Sequence, residues 1–293
     1  MDIINVIIQA VIQGLTEFLP VSSSGHLSVI QHITGYSGES ALLLSIVLHL
    51  GTLVAVLAAF WKPICGMIAE FFKTIGDLFT GKFHWKTMNG NRRMMFMVII
   101  ATLILVPVYF FKDFFTARQG DGDIIFEGAA FLFTSILLFL SDKCGDGTKT
   151  AENMTVVDAV TVGLFQCVAL FPGVSRSGST TAAGLFCGLE KNTAVTFAFI
   201  LGIPAILGGG VLEIGDALHS DINPDWVALG IGFVIAAAVG FLAIKFVKWL
   251  VEKDRFKIFG AYTLIIGVLC VLGGIWERTS GRTLSDLLSF MSR

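Results

Sequence analysis

The sequence has few charged residues and no cysteine pattern that would bind a metal. Only 14% of its 293 residues are Asp, Glu, Lys or Arg, well below the roughly 25% of a soluble domain. The five cysteines are scattered without a Cys-x-x-Cys pair, which argues against a zinc site or a disulfide framework. A formal net charge of −2 gives no reason to expect a nucleic-acid partner. Asp2 stands where a secretory signal would carry Lys or Arg, so we expect no cleaved signal.

Apolar residues, in contrast, are abundant. They make up 55% of the chain, the mean hydropathy is +0.81, and several apolar runs approach the ~20 residues that cross a bilayer as a helix. We therefore predict an all-α, polytopic integral membrane protein that forms a single domain over residues 1–293. Six full spans are predicted at about 41–61, 93–111, 124–140, 194–214, 226–248 and 258–276.

Two further apolar regions, 3–35 and 155–189, are interrupted in the middle by Pro, Gly and Ser. Each half is too short to cross the bilayer comfortably. Irregular backbone at membrane depth is tolerated only where protein or a water-filled cavity surrounds it. We expect each region to form a re-entrant helical hairpin, which enters the membrane and turns back.

The charges of the loops predict how the chain is oriented. The loops 62–92 and 245–257 are rich in Lys and Arg, whereas the connection 215–225 has three aspartates and neither Lys nor Arg. The positive-inside rule places the first two loops in the cytoplasm and the third outside. The hairpin at 3–35 then enters from outside and the hairpin at 155–189 enters from the cytoplasm.

The two hairpins also resemble each other in sequence. The segments "QGLTEFLPVSSSGH" (13–26) and "QCVALFPGVSRSGS" (166–179) are identical at six positions with a constant offset of 153 residues. These positions are Gln13/Gln166, Phe18/Phe171, Val21/Val174, Ser22/Ser175, Ser24/Ser177 and Gly25/Gly178. Repeated interrupted segments are typical of an inverted-topology repeat. We predict repeat halves of approximately 1–115 and 150–276.

Each hairpin contains one strongly charged residue. Glu17 is the only charged residue in the first, apart from two histidines, and Arg176 is the only charged residue between 159 and 189. A charge at bilayer depth costs roughly 2.5–3.5 kcal/mol, so a partner or ligand must offset it. A buried ion pair between Glu17 and Arg176 that simply locks the hairpins together is one interpretation.

The neighbouring hydroxyl groups favour a second interpretation, an anion site. They belong to Ser22, Ser23, Ser24, Ser175, Ser177, Ser179, Thr180 and Thr181. Both segments follow a proline and should begin a helix, whose free N–H groups suit a phosphate. The planar guanidinium of Arg176 matches a phosphoryl group. Ser23 and His26 are three residues apart and share a helix face, so His26 could accept the Ser23 proton.

These segments resemble the two signature segments of the undecaprenyl-diphosphate phosphatase family, also called the bacitracin-resistance proteins. "QGLTEFLPVSSSGH" matches the family's (E/Q)xxxE element followed by PVSSSGH, and "FPGVSRSGST" matches its PGxSRSxxT element. The resemblance continues through "LHLGTLVAVLAAFW" and "FAFILGIPAILGGG". It implies a hydrolase of the bacterial cytoplasmic membrane that converts undecaprenyl diphosphate to undecaprenyl phosphate. Such an enzyme recycles the lipid carrier of peptidoglycan synthesis and confers bacitracin resistance; a homodimer is also implied.

The resemblance further implies which residues act. Ser23, His26, Arg176 and Glu17 match catalytic positions, with Ser23 as nucleophile and His26 as its base. The residues expected to bind the diphosphate are Ser22, Ser24, Gly25, Gly173, Ser175, Ser177, Gly178, Thr180 and Gln13. A divalent cation, Mg²⁺ or Ca²⁺, is implied as cofactor, with Glu17 as its protein ligand and the diphosphate supplying most other ligands. Gln13 stands where many relatives have Glu, which weakens any claim for a charged metal ligand at that position.

Two other classes of protein compete with this interpretation. A transporter or lipid flippase also uses inverted repeats with broken helices, but it needs an anion site without a nucleophile–base pair. A scaffolding membrane protein would leave Glu17 and Arg176 without a purpose. His49 either lines the pocket or is a satisfied core histidine. We expect the pocket to open to the outer face.

Overall fold

The computed structural model describes residues 3–34, 39–110, 124–218, 224–253 and 255–284. These residues form helices and no named strand, which confirms the all-α class. Their α-helices are α1 (Ile3–Phe18), α2 (Ser23–Thr34), α3 (Glu39–Ala59), α4 (Trp61–Phe79), α5 (Gly90–Tyr109), α6 (Ile125–Asp142), α7 (Val156–Val168), α8 (Arg176–Phe186), α9 (Lys191–Leu218), α10 (Trp226–Glu252) and α11 (Lys257–Ser280).

Six of the described helices are long and apolar enough to cross a membrane, and all six predicted spans are confirmed. The spanning segments are Ala41–Ala59, Gly90–Val108, Ile125–Asp142, Lys191–Gly210, Trp226–Glu252 and Lys257–Ser280. Large apolar side chains such as Val54, Leu103 and Leu242 are exposed on them. That exposure suits a lipid environment, in which apolar surface carries no penalty.

The two interrupted regions are each broken into a pair of short helices, α1 with α2 and α7 with α8. The first break covers residues 19–22 and the second covers 169–175, each with one proline that lacks the N–H a helix needs. The chain turns through left-handed backbone in both breaks, at Ser22 (φ +71°) and at Gly173 (φ +88°). The predicted interruptions are therefore present; the re-entrant path and the inverted repeat stay predictions.

Packing places the two breaks side by side. Helix α1 packs along α10 and α7 packs along α5, while α6 and α11 pack against each other. Close approach requires glycine at some of these contacts: a Cβ on Gly14 would lie 2.9 Å from the carbonyl oxygen of Ala236, and one on Gly128 would lie 2.9 Å from that of Gly267. Small residues at helix crossings are typical of membrane proteins, where dispersion contacts hold helices together.

The segment 62–92, predicted as a cytoplasmic loop, is largely helical. Helix α4 occupies Trp61–Phe79 and turns its polar side toward the protein, where buried Glu70 accepts a hydrogen bond from Arg92 at 2.8 Å. Phe72, Leu78 and Phe79 are exposed on its other side. The count of charged residues predicted a loop here because it ignores their spacing. In α4 the polar and apolar residues recur with the helical period and lie on opposite faces. Of the predicted connection 215–225, residues up to Leu218 belong to α9, and 219–223 lie outside the described residues.

Candidate active site

The break before α2 is organised by the hydroxyl of Ser22. Its Oγ accepts a hydrogen bond from the N–H of Gly25 at 3.2 Å and lies 3.3 Å from Oγ of Ser24. This is helix capping by a serine at the first turn. Ser23 lies between the two and is only partly buried.

The break before α8 repeats this arrangement. Oγ of Ser175 accepts from the N–H of Gly178 at 3.1 Å and lies 3.3 Å from Oγ of Ser177. The N–H of Ser175 donates to Oγ1 of Thr134 on α6 at 3.1 Å, which fixes the break against a spanning helix. Both predicted helix starts are therefore capped by their own serines.

The two breaks contact each other directly. The N–H of Gly173 donates to Oγ of Ser24 at 3.3 Å, and Oγ of Ser177 donates to the carbonyl of Leu19 at 3.1 Å. A Cβ on Gly25 would lie 3.0 Å from Cα of Gly173. The glycines and some serine hydroxyls thus join the breaks to each other. Buried backbone polar groups that no regular helix satisfies find partners in this way.

Glu17 lies at the centre of the paired breaks and is only 6% exposed. Its Oε1 accepts a charged hydrogen bond from Arg176 of the other break. Its Oε2 accepts from Ser23 at 2.7 Å and from Gln13 at 3.0 Å, and Nε2 of His49 lies 3.7 Å from the same oxygen. Arg176 offsets the charge of this carboxylate, which is buried inside the protein.

The Arg176 guanidinium is held from two sides. One terminal nitrogen donates to Glu17 and the other donates to the carbonyl of Gly202 on α9 at 2.9 Å. A Cβ at residue 202 would lie 2.9 Å from a guanidinium nitrogen, so a larger residue would push the guanidinium away from this position. Among the described residues, the other N–H groups of the guanidinium have no acceptor, which leaves them to a ligand.

A cavity of about 220 Å³ opens at this cluster. The polar residues that line it are Thr16, Glu17, Ser22, Ser23, Ser24, His49, Ser175, Arg176 and Ser177, and the apolar ones include Ile46, Leu50, Leu170 and Ile206. One cavity thus combines a charged, hydroxyl-rich end with apolar lining. That combination suits a ligand with a polar head and a hydrocarbon tail.

The hydrogen bonds of His26 go to Ser22 and Tyr262 and not to Ser23, whose spacing had predicted a shared helix face. Its Nδ1 lies 2.6 Å from the carbonyl oxygen of Ser22, and its Nε2 lies 2.8 Å from the hydroxyl of Tyr262 on α11. Ser23 donates to Glu17 instead. Sharing a helix face was not sufficient, because each side chain has a nearer partner, Glu17 for Ser23 and the Ser22 carbonyl for His26.

Several predicted binding residues also lie outside the cavity lining. Gly25, Gly173 and Gly178 form the contact between the breaks, and a Cβ on Gly178 would lie 3.2 Å from Cβ of Pro20. Thr180 is buried and donates to the carbonyl of Arg176 at 2.8 Å. Gln13 lies behind Glu17, fully buried.

The sequence did not decide whether His49 lines the pocket, and it did not point to Gly202 or Tyr262. The structure places His49 at the cavity, with its Nδ1 donating to the carbonyl of Ser45 at 2.8 Å. Residue 202 is the equivalent of residue 49 at the same offset of 153 that relates the two breaks. Extending the repeat beyond the signature segments would have drawn attention to both positions.

The described residues contain no group of three or more His, Cys, Asp or Glu that could hold a metal ion. Beside Glu17, however, Oε1 of Gln13 is buried without a hydrogen-bond partner. A hard cation prefers oxygen ligands, and Mg²⁺ usually takes only one or two of them from protein. The site therefore fits a cation that arrives with most of its ligands on a phosphorylated substrate.

Known proteins resemble this chain over nearly its whole length. The family model described as bacitracin resistance protein BacA matches residues 6–269. A protein of Methanobrevibacter smithii named undecaprenyl-diphosphatase is 41% identical over 280 residues, covering 94% of this chain and 99% of the relative. Proteins of the same name from Alkaliphilus metalliredigens and Corynebacterium glutamicum are 39% identical over 274 residues (93% and 98% covered) and 34% identical over 272 residues (92% and 89% covered).

Proposed function

The chain belongs to the family of the bacitracin resistance protein BacA, and from this premise we propose that it hydrolyses undecaprenyl diphosphate to undecaprenyl phosphate and inorganic phosphate. The observation that carries the proposal is the cluster of Ser23, Glu17 and Arg176 at one cavity with apolar lining. Removal of the terminal phosphate returns the lipid carrier to peptidoglycan synthesis and would account for bacitracin resistance in this family.

The polar end of the cavity has the chemistry that a diphosphate requires. Arg176 offers a planar, permanently charged fork, which suits phosphoryl oxygens better than an ammonium group does. Helices α2 and α8 both begin beside the cavity, and their first N–H groups and partial positive charge attract anions. The apolar lining would accommodate the first isoprenoid units, while the rest of the tail stays in the bilayer.

The hydrogen bond from Ser23 to Glu17 suggests the route of proton transfer. Oγ of Ser23 attacks the terminal phosphorus, its proton passes to the Glu17 carboxylate, and the bond from phosphorus to the bridging oxygen breaks. Undecaprenyl phosphate leaves, and a phosphoserine remains at Ser23. Water then attacks this phosphoserine, the bond from phosphorus to Oγ of Ser23 breaks, and one proton of the water passes to Oγ. Inorganic phosphate is released, and Glu17 gives its proton to solvent. A carboxylate that accepts a hydroxyl proton, with Arg stabilising the transferred group, is the arrangement of other phosphoryl-transfer enzymes.

A divalent cation, Mg²⁺ or Ca²⁺, is part of the proposal as a companion of the substrate. Glu17, which lines the cavity, would provide a protein ligand. The cation would neutralise charge on the diphosphate oxygens. Diphosphate oxygens and water complete the coordination of such ions in comparable sites.

We further propose that both broken regions are re-entrant and that the two halves form an inverted repeat. Equivalent helices have equivalent partners, which supports this: α1 packs on α10 as α7 packs on α5, and α3 packs on α10 as α9 packs on α5. The cavity then lies near the bilayer midplane of the cytoplasmic membrane and opens outward. The homodimer implied by the resemblance stays a prediction.

Cysteine labelling tests this orientation. In a cysteine-free background, a cysteine replacing Asp221 should react with a membrane-impermeant thiol reagent added to intact cells, because loop charges place that connection outside. A cysteine replacing the exposed Lys86 should not react until the cells are opened. The reverse pattern would contradict the outward opening of the cavity.

The activity is tested by phosphate release from undecaprenyl diphosphate with purified protein and its Ser23→Ala variant. Loss of one charged hydrogen bond costs about 1.5–3 kcal/mol, or roughly 10- to 150-fold, whereas loss of the nucleophile should reduce turnover beyond that range. Rapid acid quench with substrate labelled in the terminal phosphate should trap labelled protein. Substantial turnover by Ser23→Ala, with no label on the wild type, would show that water attacks directly.

A transporter or flippase is not favoured by these observations. An anion carrier needs the arginine and the hydroxyl groups but has no use for a serine that donates to a buried carboxylate beside the ligand. Transport of labelled lipid across vesicles by Ser23→Ala at the wild-type rate, without phosphate release by either protein, would revive that alternative.

A further inference from the structure

Ser22 is the only residue other than glycine with positive φ among the described residues. Its φ of +71° places a side-chain-bearing residue in the left-handed region, which costs free energy for L-residues. The equivalent Ser175 has an ordinary φ of −71°. Such outliers persist only where surrounding groups hold them, and they cluster at functional sites. The residue that follows Ser22 is the proposed nucleophile, Ser23.

His26 is the group that holds this turn. Its Nδ1 lies 2.6 Å from the Ser22 carbonyl oxygen, and because a carbonyl only accepts, Nδ1 must carry the hydrogen. In the neutral ring Nε2 is then an acceptor, and the Tyr262 hydroxyl donates to it at 2.8 Å. The ring is stacked on Tyr262, with centroids 5.7 Å apart, and meets the edge of Phe131 at 5.0 Å.

This arrangement leaves His26 no free lone pair for Ser23. One ring nitrogen donates to backbone and the other accepts from Tyr262, so a proton acceptor role would require the Tyr262 bond to break. The ring is also absent from the cavity lining, and the Ser23 hydroxyl already has an acceptor in Glu17.

We propose that His26 and Tyr262 are positioning residues, which clamp the left-handed Ser22 and thereby aim Ser23 at the cavity. Tyr262 fixes the tautomer and plane of the His26 ring, and the ring fixes the Ser22 carbonyl. This inference rests on the proposed phosphatase function and gives His26 a role other than that of the base. Nothing in the signature segments points to Tyr262, which lies 236 residues from His26 in sequence.

Two substitutions of His26 separate the roles of clamp and base. Asn has an amide nitrogen as many bonds from Cα as Nδ1, so His26→Asn can still donate to the Ser22 carbonyl but cannot act as a base near neutral pH. His26→Ala loses both capacities. We expect kcat to fall about 100-fold in His26→Ala, because a misplaced reacting group costs about that much. In His26→Asn, kcat should stay within about 10-fold of the wild-type value. KM should change little, because Arg176 is untouched.

Equal inactivity of the two variants, with wild-type thermal unfolding in the same detergent, would overturn the clamp and make His26 the base. A wild-type protein that releases no phosphate would instead contradict the proposed function itself. The pH dependence of kcat/KM should keep its wild-type shape in His26→Asn, whereas loss of the acidic limb would also identify His26 as the base.

Tyr262→Phe tests the outer part of the clamp. The ring stack is kept and only the hydroxyl is lost, so kcat should fall about 2- to 10-fold. In the His26→Ala background the same change should have no further effect, since the two residues act in series. A fully additive loss, or no loss in the single variant, would exclude Tyr262 from the clamp.

A rescue experiment tests the Ser22 backbone, even if His26→Ala is poorly stable. Glycine adopts φ +71° without steric cost, but Ser22→Gly also removes the hydroxyl that caps Gly25, so each His26→Ala variant is compared with its own parent. The loss of kcat caused by His26→Ala should be about 10-fold or more smaller in the Ser22→Gly background than in the wild type. An equal loss in both backgrounds would show that the left-handed turn is not what His26 maintains.

Discussion

The breaks before α2 and α8 have the same hydrogen-bonded framework but different chemistry. In each, the first serine hydroxyl accepts from the glycine N–H three residues later, at 3.2 Å in the first and 3.1 Å in the second. In each, that hydroxyl lies 3.3 Å from the hydroxyl two residues later. The residue between the two serines differs, being Ser23 in one break and Arg176 in the other, and both contact Glu17.

The difference shows how one repeated framework yields a single asymmetric site. The equivalent of Glu17 in the second half is Leu170, so only one carboxylate lies between the breaks. In the proposed mechanism, the first hairpin supplies the nucleophile Ser23 and the proton acceptor Glu17, and the second supplies the guanidinium of Arg176. The backbone differs as well, with φ of +71° at Ser22 and −71° at Ser175. Only the first break therefore presents a side chain from a strained turn.

Exchanging the two central residues is the most severe test of this asymmetry. The double variant Ser23→Arg with Arg176→Ser keeps one arginine and one serine around Glu17, so the charge pair could re-form. We expect no detectable phosphate release, because the serine at position 176 would follow Ser175, whose φ is an ordinary −71°, and not a left-handed residue. Thermal unfolding in detergent checks the fold. Measurable turnover would mean that the two breaks are functionally equivalent.

Arg176→Lys tests the cationic break while keeping its charge. An ammonium group cannot bond Glu17, Gly202 and a phosphoryl group with one planar fork. Activity should fall about 100-fold or more, since each charged hydrogen bond lost costs roughly 10- to 150-fold. Phosphate release by folded protein measures the effect. Near-normal turnover would show that only the positive charge of residue 176 is needed, and not the planar geometry of its guanidinium.

Gly202→Ala tests the support of Arg176 from α9. The new Cβ would lie 2.9 Å from a guanidinium nitrogen and displace it. We expect kcat/KM to fall about 10-fold through the weakened charged contact. Gly208→Ala is the matched control on the same helix, because no atom lies within 4 Å of its Cβ position; it should stay within about 2-fold of wild type. Equal effects of both substitutions would indicate a general helix effect.

Ser24→Ala and Ser177→Ala should have the smallest effects, and equal ones. Each removes one hydrogen bond between the breaks, from Gly173 in one case and to Leu19 in the other. A neutral hydrogen bond accounts for about 2- to 10-fold in activity. Parallel measurements of kcat and thermal unfolding would check the equality. A much larger loss in one variant would show that its hydroxyl contacts the substrate rather than the other break.

Much of the fold follows from the sequence because membrane insertion obeys simple rules of length and polarity. The six spans follow from apolar runs alone, and the meeting of Glu17 with Arg176 follows from the cost of an isolated charge in the membrane. Helix α4 was not predicted because its buried side is polar and its exposed side is apolar: Glu70 is buried and Phe72 is exposed. Charge counts alone do not show which face of a helix meets protein.

The direction of individual side chains at the breaks could not be predicted. Helical spacing placed His26 near Ser23, but the unusual backbone of Ser22 and the distant Tyr262 decide where the ring lies. Gly202 likewise could not be predicted: it has no side chain, and this leaves space for the guanidinium of Arg176, 26 residues away in sequence. These contacts depend on tertiary packing between helices that are remote in sequence.

The separation of 159 residues between Glu17 and Arg176 has a consequence for biosynthesis. At about 5–20 residues per second, the ribosome reaches Arg176 roughly 8 to 30 s after Glu17. During that interval the first hairpin has a carboxylate without its partner, and stable entry to membrane depth would incur the cost of the isolated charge. In the proposed re-entrant arrangement, the first hairpin therefore reaches its final depth only after Arg176 has been made, although it is synthesised first.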